Sequence, residues 1–352
     1  MTEQIDETSG SAAGTAVDVD AIGAVADGLF ADDAAHGVSL ALVVLHRGQV
    51  VAERYGVQPA SVWHPAHEVT PETTLLSWSM AKSITHAVVG LLAADGLLDV
   101  AAPAPVAEWA GTPKAAITLL DLLEMRSGLH FVEDYVDDAV SDCLEMLYGS
   151  GTADMAAYAA ALPLDHRPGA TWSYASGTTN IVCRIAGDAL GDRRGGGHDG
   201  MDRLLRERLF GPAGMASATA RFDDAGTLIG SSYVYATACD FARFGELYRN
   251  DGVAAHGTRV LPAGWRDHAA TYVATDPDGG MAYGRHWWRW PDLPGSLACH
   301  GYEGQYTLVV PDRELVVVHL GKSPSDQRAP LLQAIRDIVR AVRPSEPSER
   351  TA

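Results

Sequence analysis

Apolar residues form nearly continuous runs near both ends of the chain, a pattern typical of buried β-strands. The main runs lie at residues 38–45, 50–55, 306–310 and 315–320, with shorter ones at 282–290 and 297–300. A turn with Gly48 separates the first pair of runs, and a turn that begins at Pro311 separates the last long pair. Such short connections predict antiparallel hairpins.

Helical periodicity dominates the middle of the chain. Apolar residues recur there at three- and four-residue steps, in segments between about 113 and 250. One such segment, 117–125, has Thr118 as its expected N-cap, and amphipathic helices are also predicted at 19–34 and 329–342. Strands at both ends with helices between them predict an α+β fold. We expect an antiparallel sheet built from both termini and flanked by helices, with an inserted all-helical region.

The same pattern divides the chain into segments. We predict a sheet domain at residues 19–112 and 255–345, a mainly helical domain at 113–254, and tails at 1–18 and 346–352. The N-terminal tail is rich in Thr, Glu, Asp, Ser, Gly and Ala, a composition typical of disorder. It lacks a basic segment followed by an apolar one, so no secretory signal is expected.

Composition and charge narrow the classes of function. The 352 residues are 47% hydrophobic, which suits one large catalytic unit with a sizeable core. A formal net charge of −19 disfavours nucleic-acid and anionic-membrane partners, which bind to basic surfaces. No apolar run reaches the length of a membrane span. We therefore expect a soluble, cytoplasmic protein.

Metal-binding and several enzyme signatures are missing from the sequence. The four cysteines, at positions 143, 183, 239 and 299, include no C-x-x-C pair, so buried free thiols are expected. No metal-ligand constellation stands out among the thirteen histidines. The G-x-S-x-G segment of α/β-hydrolases does not occur. We therefore predict no metal and no cofactor.

Ser79 and Lys82 are the first candidates for chemistry. They lie near the start of a predicted helix whose apolar residues, Trp78, Ile84 and Val88 among them, form a core-facing stripe. Their i, i+3 spacing places both side chains on one face, about a turn apart. A Ser hydroxyl beside a Lys amine can be a nucleophile beside its base. A serine near a helix start with a solvated lysine is the alternative for this spacing alone.

Two later segments carry further candidates. Tyr174 follows a loop that ends at Gly169, and a Tyr near a Lys ammonium can ionise in part and transfer a proton. Gly301 and Gly304 flank Tyr302 at the start of a strand pair. Glycines there let a ligand approach backbone N–H groups, which can stabilise an oxyanion. A packed tyrosine and an ordinary glycine-rich hairpin are the alternatives.

Five segments of the chain form an ordered set of motifs. They are Ser79-Met80-Ala81-Lys82, Leu122-Leu123-Glu124-Met125-Arg126-Ser127-Gly128-Leu129, Trp172-Ser173-Tyr174-Ala175-Ser176, Ala238-Cys239-Asp240-Phe241-Ala242-Arg243-Phe244-Gly245 and Gly301-Tyr302-Glu303-Gly304-Gln305. In this order they resemble the serine β-lactamase-like superfamily, above all its class C β-lactamase-related esterases and 6-aminohexanoate-dimer hydrolases. The resemblance covers about residues 20–345. It implies a β-lactamase/transpeptidase-like fold.

The resemblance also implies roles for individual residues. Ser79 would be the acylated nucleophile, and Lys82 and Tyr174 its acid–base pair. Either Lys82 is the general base or it keeps Tyr174 ionised; the base of an S-x-x-K motif is disputed in related enzymes as well. The oxyanion hole would consist of the backbone N–H groups of Ser79 and Tyr302. A water activated by Tyr174 or Lys82 would then release the acyl group.

The chain departs from the family pattern at two places. The family's Y-x-N is Tyr174-Ala175-Ser176 here, so the amide that contacts β-lactam side chains is missing. No K-T-G occurs, and Cys299-His300-Gly301 stands in its place. The Lys of K-T-G helps to bind the carboxylate of a penicillin or cephalosporin. Ester or amide hydrolysis is therefore favoured over antibiotic resistance.

The predicted substrate contacts are Asp134, Asp138, Tyr233, Trp288, His300 and Gly301. Asp134 and Asp138 lie in an acidic segment that is expected to rim the cleft, where a carboxylate can pair with a substrate amine. A solvated acidic loop is the alternative. Trp288 either lines an acyl pocket or packs in the core. His300 either takes over part of the role of the missing Lys or is a spectator in a strand.

The sequence thus predicts a serine hydrolase that acts through an acyl-enzyme on a small ester or amide. The resemblance leaves alternatives: a penicillin-recognising binding or regulatory module without turnover, a weak β-lactamase, or a D-amino-acid peptidase. A stoichiometric burst without turnover would support the binding module. The peptidase needs an exported protein, and the sequence does not specify an oligomeric state.

Overall fold

The structure, a computed structural model, describes residues 17–62, 64–135, 140–192 and 197–344. Its strands are β1 (Val38–His46), β2 (Gln49–Tyr55), β3 (Val57–Gln58), β4 (His67–Glu68), β5 (Leu75–Leu76), β6 (Thr219–Ala220), β7 (Val234–Ala236), β8 (Ala274–Thr275), β9 (Ala282–Tyr283), β10 (Trp288–Arg289), β11 (Leu297–Gly301), β12 (Gln305–Val310) and β13 (Leu315–Lys322).

The helices of the described residues are α1 (Val19–Ala31), α2 (Asp33–His36), α3 (Ala81–Ala94), α4 (Leu119–Leu123), α5 (Asp142–Tyr148), α6 (Met155–Ala161), α7 (Ser176–Ala189), α8 (Asp199–Leu204), α9 (Gly211–Ala213), α10 (Ala238–Arg249), α11 (Trp265–Ala270) and α12 (Arg328–Arg340). A π-helical stretch, Leu205–Phe210, joins α8 to α9. No helix among the described residues is both long and apolar enough to cross a bilayer.

Eight strands form one antiparallel sheet in the order β2-β1-β13-β12-β11-β10-β9-β8. The strand β1 from the N-terminal part lies directly beside β13 from the C-terminal part, with Val44 opposite Val317. Strands from both ends of the chain therefore lie side by side within this sheet. The predicted α+β fold is confirmed.

Helices cover both faces of this sheet. On one face, α1 and α12 contribute Ile22 and Ile335 to a cluster with Leu42 of β1. On the other face, α3 and α10 pack in a larger cluster, to which Ile84 and Phe241 belong. Because both faces are covered, the central strands bury nearly every side chain, which explains their continuous apolar runs.

Residues 113–254 are mainly helical, and the strands among the described residues of this region are two short ones, β6 and β7. β6 and β7 form a small sheet with β5, which lies just before the Ser79 turn. This small sheet is the place where the inserted region is joined to the segment that carries Ser79.

Two predicted elements differ from the structure. The helix expected at 19–34 ends at Ala31, because the Asp32 side chain accepts a hydrogen bond from the N–H of Ala35 and starts α2. The strand expected at 282–290 is a hairpin of β9 and β10. The chain reverses between them, where His286 has a φ of 58°.

The predicted tails lie almost wholly outside the described residues, and so does Asp138. Val17 and Asp18, which the sequence places in the N-terminal tail, belong to the folded part. Val17 forms a β-bridge with Val342, and the Asp18 carboxylate accepts from the N–H of Ala21 to cap α1.

Candidate active site

Ser79 lies in a tight 3₁₀ turn, Trp78–Met80, directly before α3. Trp78 has a φ of 44°, in the left-handed region that non-glycine residues rarely adopt. The neighbouring Ser77 is fully buried and ties the turn to β7, because its hydroxyl accepts from the N–H of Val234 at 3.2 Å. The turn is thus held in one place, with the Ser79 side chain partly exposed to the cleft.

Lys82 lies one turn further along, at the buried base of the site, with 2% of its surface exposed. Its ammonium donates to the hydroxyl of Ser79 at 2.9 Å, to the hydroxyl of Ser176 at 2.9 Å and to the carbonyl of Ser231 at 3.1 Å. All three N–H donors of the ammonium therefore have acceptors. The structure brings Ser79 and Lys82 into direct contact, as the i, i+3 spacing predicts.

Tyr174 completes the group from the loop before α7, and that helix begins at Ser176. The Nζ of Lys82 lies 4.8 Å from the centroid of the Tyr174 ring. Burial raises the pKa of the Tyr174 phenol; the charge of Lys82 opposes this, and that of Glu133 adds to it. The net direction is upward, which favours the neutral phenol. A partial phenolate beside the Lys82 ammonium remains a prediction from the sequence.

Glu133 stands behind this group and was not among the predicted site residues. Its carboxylate accepts from both the N–H and the hydroxyl of Ser176, each at 2.6 Å, and from the hydroxyl of Tyr135. A continuous hydrogen-bonded chain therefore runs from Glu133 through Ser176 and Lys82 to Ser79. The sequence shows Glu133 only as one of several acidic residues in a segment expected to rim the cleft. It shows Ser176 only as the residue that replaces the Asn of the family's Y-x-N.

A cleft of about 270 Å³ opens above Ser79. It is lined by Ser79, Tyr135, Tyr174, Asp276, Gly279, Met281, Trp288, His300, Gly301, Tyr302, Tyr306, Arg328 and Leu332. The lining thus includes the predicted contacts Trp288, His300 and Gly301. Its walls are largely aromatic, with the Tyr174 ring 5.4 Å from Trp288, which stacks on His300 at 5.3 Å.

Two of the predicted contacts do not line this cleft. The carboxylate of Asp134 accepts from the N–H of Tyr135, at 2.6 Å. The ring of Tyr233 packs 6.1 Å from that of Trp78, on the strand side of the Ser79 turn. Of the two described acidic residues of this segment, Glu133 is the one that reaches the site, and it is already hydrogen-bonded to Ser176 rather than open to a substrate amine.

His300 does not replace the cation of K-T-G. Burial lowers its pKa to about 3, and the charges of Arg328 and Arg336 act in the same direction. The indole N–H of Trp290 donates to Nε2 of His300 at 2.9 Å, so the ring proton of the neutral imidazole is on Nδ1. His300 is therefore a neutral side chain in the cleft wall.

Gly301 lets β11 come close to the Ser79 turn. A Cβ at this position would lie 2.4 Å from the carbonyl oxygen of Ser77. The following residue, Tyr302, packs its ring edge-on against Trp78 at 5.9 Å. This approach is what an oxyanion hole shared between the backbones of Ser79 and Tyr302 requires, and that assignment remains a prediction.

Among the described residues, no cluster of three or more His, Cys, Asp or Glu side chains is placed to hold a metal ion. All four cysteines are free thiols.

The chain is similar to a known family and to known proteins. Residues 26–340 match the model of the family described as Beta-lactamase. A 6-aminohexanoate-dimer hydrolase from Paenarthrobacter ureafaciens is 27% identical over 305 residues, covering 81% of this chain and 72% of that protein.

Solved structures that share the fold include the following two. A Bacillus anthracis protein, provisionally named as a 6-aminohexanoate-dimer hydrolase, matches with a TM-score of 0.72 at 22% identity, over 89% of this chain and 81% of its own. A family VIII carboxylesterase matches with a TM-score of 0.66 at 16% identity, over 92% of this chain and 99% of its own.

Proposed function

The chain belongs to the Beta-lactamase family and is a serine hydrolase, and we propose that Ser79, Lys82 and Tyr174 form acyl-enzymes from small esters or amides. The observation that carries the proposal is the contact between Lys82 and Ser79. The two side chains meet at 2.9 Å, so once the Lys82 ammonium has lost a proton, its neutral amine can accept the hydroxyl proton as Ser79 attacks.

The other groups have complementary tasks in this mechanism. The N–H groups of Ser79 and Tyr302 stabilise the oxyanion that forms on the substrate carbonyl. Tyr174 is protonated at rest, because its pKa is raised, so it donates a proton to the leaving alcohol or amine. Lys82 or Tyr174 then activates the water that releases the acyl group.

The shape and chemistry of the cleft support an ester or amide rather than a β-lactam. Six of its thirteen lining residues carry aromatic rings. The two positions at which the sequence departs from the β-lactamase pattern lack the Asn and the Lys of that pattern. Ser176, at the position of the Asn, is engaged with Lys82 and Glu133. His300, near the position of the Lys, is neutral. The name of the curated relative supports an amide among the substrates.

The test combines turnover with labelling. The protein is mixed with a small p-nitrophenyl ester and, separately, with a fluorophosphonate, and its intact mass is measured. Wild type is compared with Ser79→Ala and with Ser173→Ala, which removes an exposed serine beside Tyr174. We expect many turnovers and one adduct for wild type and Ser173→Ala, and neither for Ser79→Ala.

Other outcomes separate the alternatives. A single adduct without turnover would favour the binding module over the hydrolase. An equal adduct on Ser79→Ala, or none on wild type, would remove Ser79 as the nucleophile and with it the proposal.

A further inference from the structure

A second cavity, of about 550 Å³, adjoins the cleft above Ser79. The two cavities have five wall residues in common, which are Tyr135, Tyr174, Asp276, Trp288 and Arg328. The described residues that line the second cavity alone are Phe131, Glu133, Trp172, Ser173, Pro277 and Asp278. Because the cavities share these walls, a substrate that is seated at Ser79 can extend into the second one.

Aromatic rings form much of the wall of this second cavity. They belong to Phe131, Tyr135, Trp172, Tyr174 and Trp288. A cavity of about 150 Å³ is already large enough for benzene. The second cavity, which we call the aromatic lobe, therefore has room for a phenyl ring together with a short chain.

A buried neighbour holds the rings of the lobe in place. Trp172 and Trp288 both pack against the fully buried Tyr283, at centroid distances of 5.5 and 4.8 Å. The two tryptophans also meet edge-on at 6.2 Å, and the Tyr174 ring lies 5.4 Å from that of Trp288. Walls that are already fixed lose little conformational freedom when a ligand enters, so more of the contact energy is available for binding.

The position of Tyr174 indicates which part of a substrate faces the lobe. In the function proposed above, Tyr174 donates a proton to the leaving alcohol or amine, so the leaving atom lies beside its hydroxyl. Ser79, which carries the acyl group in the acyl-enzyme, lines the cleft and is not among the described residues that line the lobe. The leaving group is therefore the part that extends past Tyr174 into the lobe.

The charges around the lobe disfavour an anionic ring. Glu133, Asp276 and Asp278 line it with carboxyl groups, and the described residues there include a single Lys or Arg cation, Arg328. The net charge of −19 also repels anions at long range. We propose that the aromatic lobe binds the leaving group and directs the enzyme toward esters or amides whose alcohol or amine part carries an uncharged aromatic ring. This specificity rests on the function proposed above.

The test uses two isomeric esters. Phenethyl acetate has its ring on the alcohol part, and ethyl phenylacetate has it on the acyl part. The release of acid gives kcat/KM for each ester with wild type, Trp172→Ala, Trp172→Phe and the control Tyr272→Ala, which removes an exposed ring that lines neither cavity. Because both esters are measured on one preparation, a loss of folded protein cancels in the ratio of the two kcat/KM values.

We expect wild type to favour phenethyl acetate. Trp172→Ala should lower the ratio, phenethyl acetate over ethyl phenylacetate, by about fivefold or more, as for the loss of other aromatic contacts. The loss should lie mainly in KM, because the ring is bound alike in the substrate complex and in the transition state. Trp172→Phe should restore part of the ratio, and Tyr272→Ala should leave it as in wild type. Equal ratios in wild type and Trp172→Ala, or a wild-type preference for ethyl phenylacetate, would overturn the proposal.

A binding measurement separates this proposal from the proposed function. If no ester is turned over through Ser79, the hydrolase assignment fails. Phenethyl alcohol, the leaving group of the first ester, is then titrated calorimetrically into Ser79→Ala protein with and without Trp172→Ala. Binding that weakens about fivefold in the double variant supports the aromatic lobe as a binding site, and absent or equal binding removes it.

Discussion

At the scale of single residues, Glu133 has an effect well beyond its own contacts. Its carboxylate accepts from the hydroxyl of Ser176, which in turn accepts from Lys82. Its charge also adds to the rise in the pKa of Tyr174 that burial causes. A raised pKa keeps the phenol protonated to higher pH. We therefore predict that Glu133 positions Lys82 and, in the proposed mechanism, extends the pH range in which Tyr174 can donate a proton.

The substitution Glu133→Gln tests this role. It removes a charge that raises the pKa of Tyr174, so the basic limb of the pH–rate profile should move to lower pH. Ser176 loses a charged acceptor as well, and kcat near neutral pH should fall about tenfold. The profile of kcat for a p-nitrophenyl ester, corrected for spontaneous hydrolysis, measures both effects.

Asp134→Asn is the matched control, since it neutralises the adjacent carboxylate outside the cleft. Its profile should coincide with that of wild type. A fall in kcat for Glu133→Gln with the basic limb unmoved would mean that Glu133 only holds the loop in place.

At the scale of elements, the site depends on how closely the end of β11 approaches the Ser79 turn. Neither segment can be shifted alone, because Ser77 fixes the turn to β7 and the pairing of Gly301 with Gln305 fixes β11 to β12. Gly301 has a φ of −128°, so its backbone suits other residues. What requires glycine there is the lack of space.

Gly301→Ala should therefore damage both stability and activity. The added Cβ would lie 2.4 Å from the carbonyl oxygen of Ser77, so β11 and the turn must separate. We expect the free energy of unfolding to fall by about 1–3 kcal/mol. We also expect kcat/KM to fall by more than the unfolded fraction explains. Urea unfolding and ester hydrolysis on the same preparation measure the two losses.

Gly23→Ala, in α1, is the control for this substitution. A Cβ there meets nothing within 4 Å, and alanine favours a helix by about 1 kcal/mol over glycine. Its stability should be equal or higher and its activity unchanged. Wild-type activity in Gly301→Ala would show that the close approach is not needed for catalysis.

At the scale of the whole molecule, buried neutral histidines couple folding to pH. Burial lowers the pKa of His286 to about 3 and that of His319 to about 4, from an ordinary value of 6.5. The Nδ1–H of His319 donates to the carbonyl of Gly304, and Nε2 accepts from the hydroxyl of Ser39. Between pH 6.5 and about 4 the unfolded chain therefore binds protons that the folded chain excludes.

The free energy of unfolding should consequently decrease as the pH falls below about 6.5, by about 1.4 kcal/mol per pH unit for each such histidine. His319→Gln should reduce this slope by about 1.4 kcal/mol per pH unit, because unfolding then takes up one proton fewer. The variant is also expected to be less stable at pH 7.5. His67→Gln, at an exposed position, should leave the slope unchanged. Urea unfolding at several pH values between 7.5 and 4.5 measures the slopes, and equal slopes in wild type and His319→Gln would contradict the coupling.

The sequence by itself determined those features that depend on neighbouring residues. The continuous apolar runs of β1 and β13 follow from burial on both faces, and Thr118 caps α4 through a local hydrogen bond. Ser79 and Lys82 meet because a helical turn places positions three apart on one face. The cap and the contact between Ser79 and Lys82 have causes that act within a few residues, and burial on both faces leaves a local trace in the apolar runs, so the sequence pattern contains all three.

Only the tertiary structure decided the features that join distant segments. Glu133 reaches Ser176 across 43 residues, and nothing in the acidic segment distinguishes it from Asp134. Arg328 enters the cleft because α12 packs back on the sheet, and the pKa of Tyr174 is raised because packing around it removes water. The charge, the burial and the hydrogen-bond partners of each site residue depend on all the segments that surround it. A local sequence pattern does not contain that information.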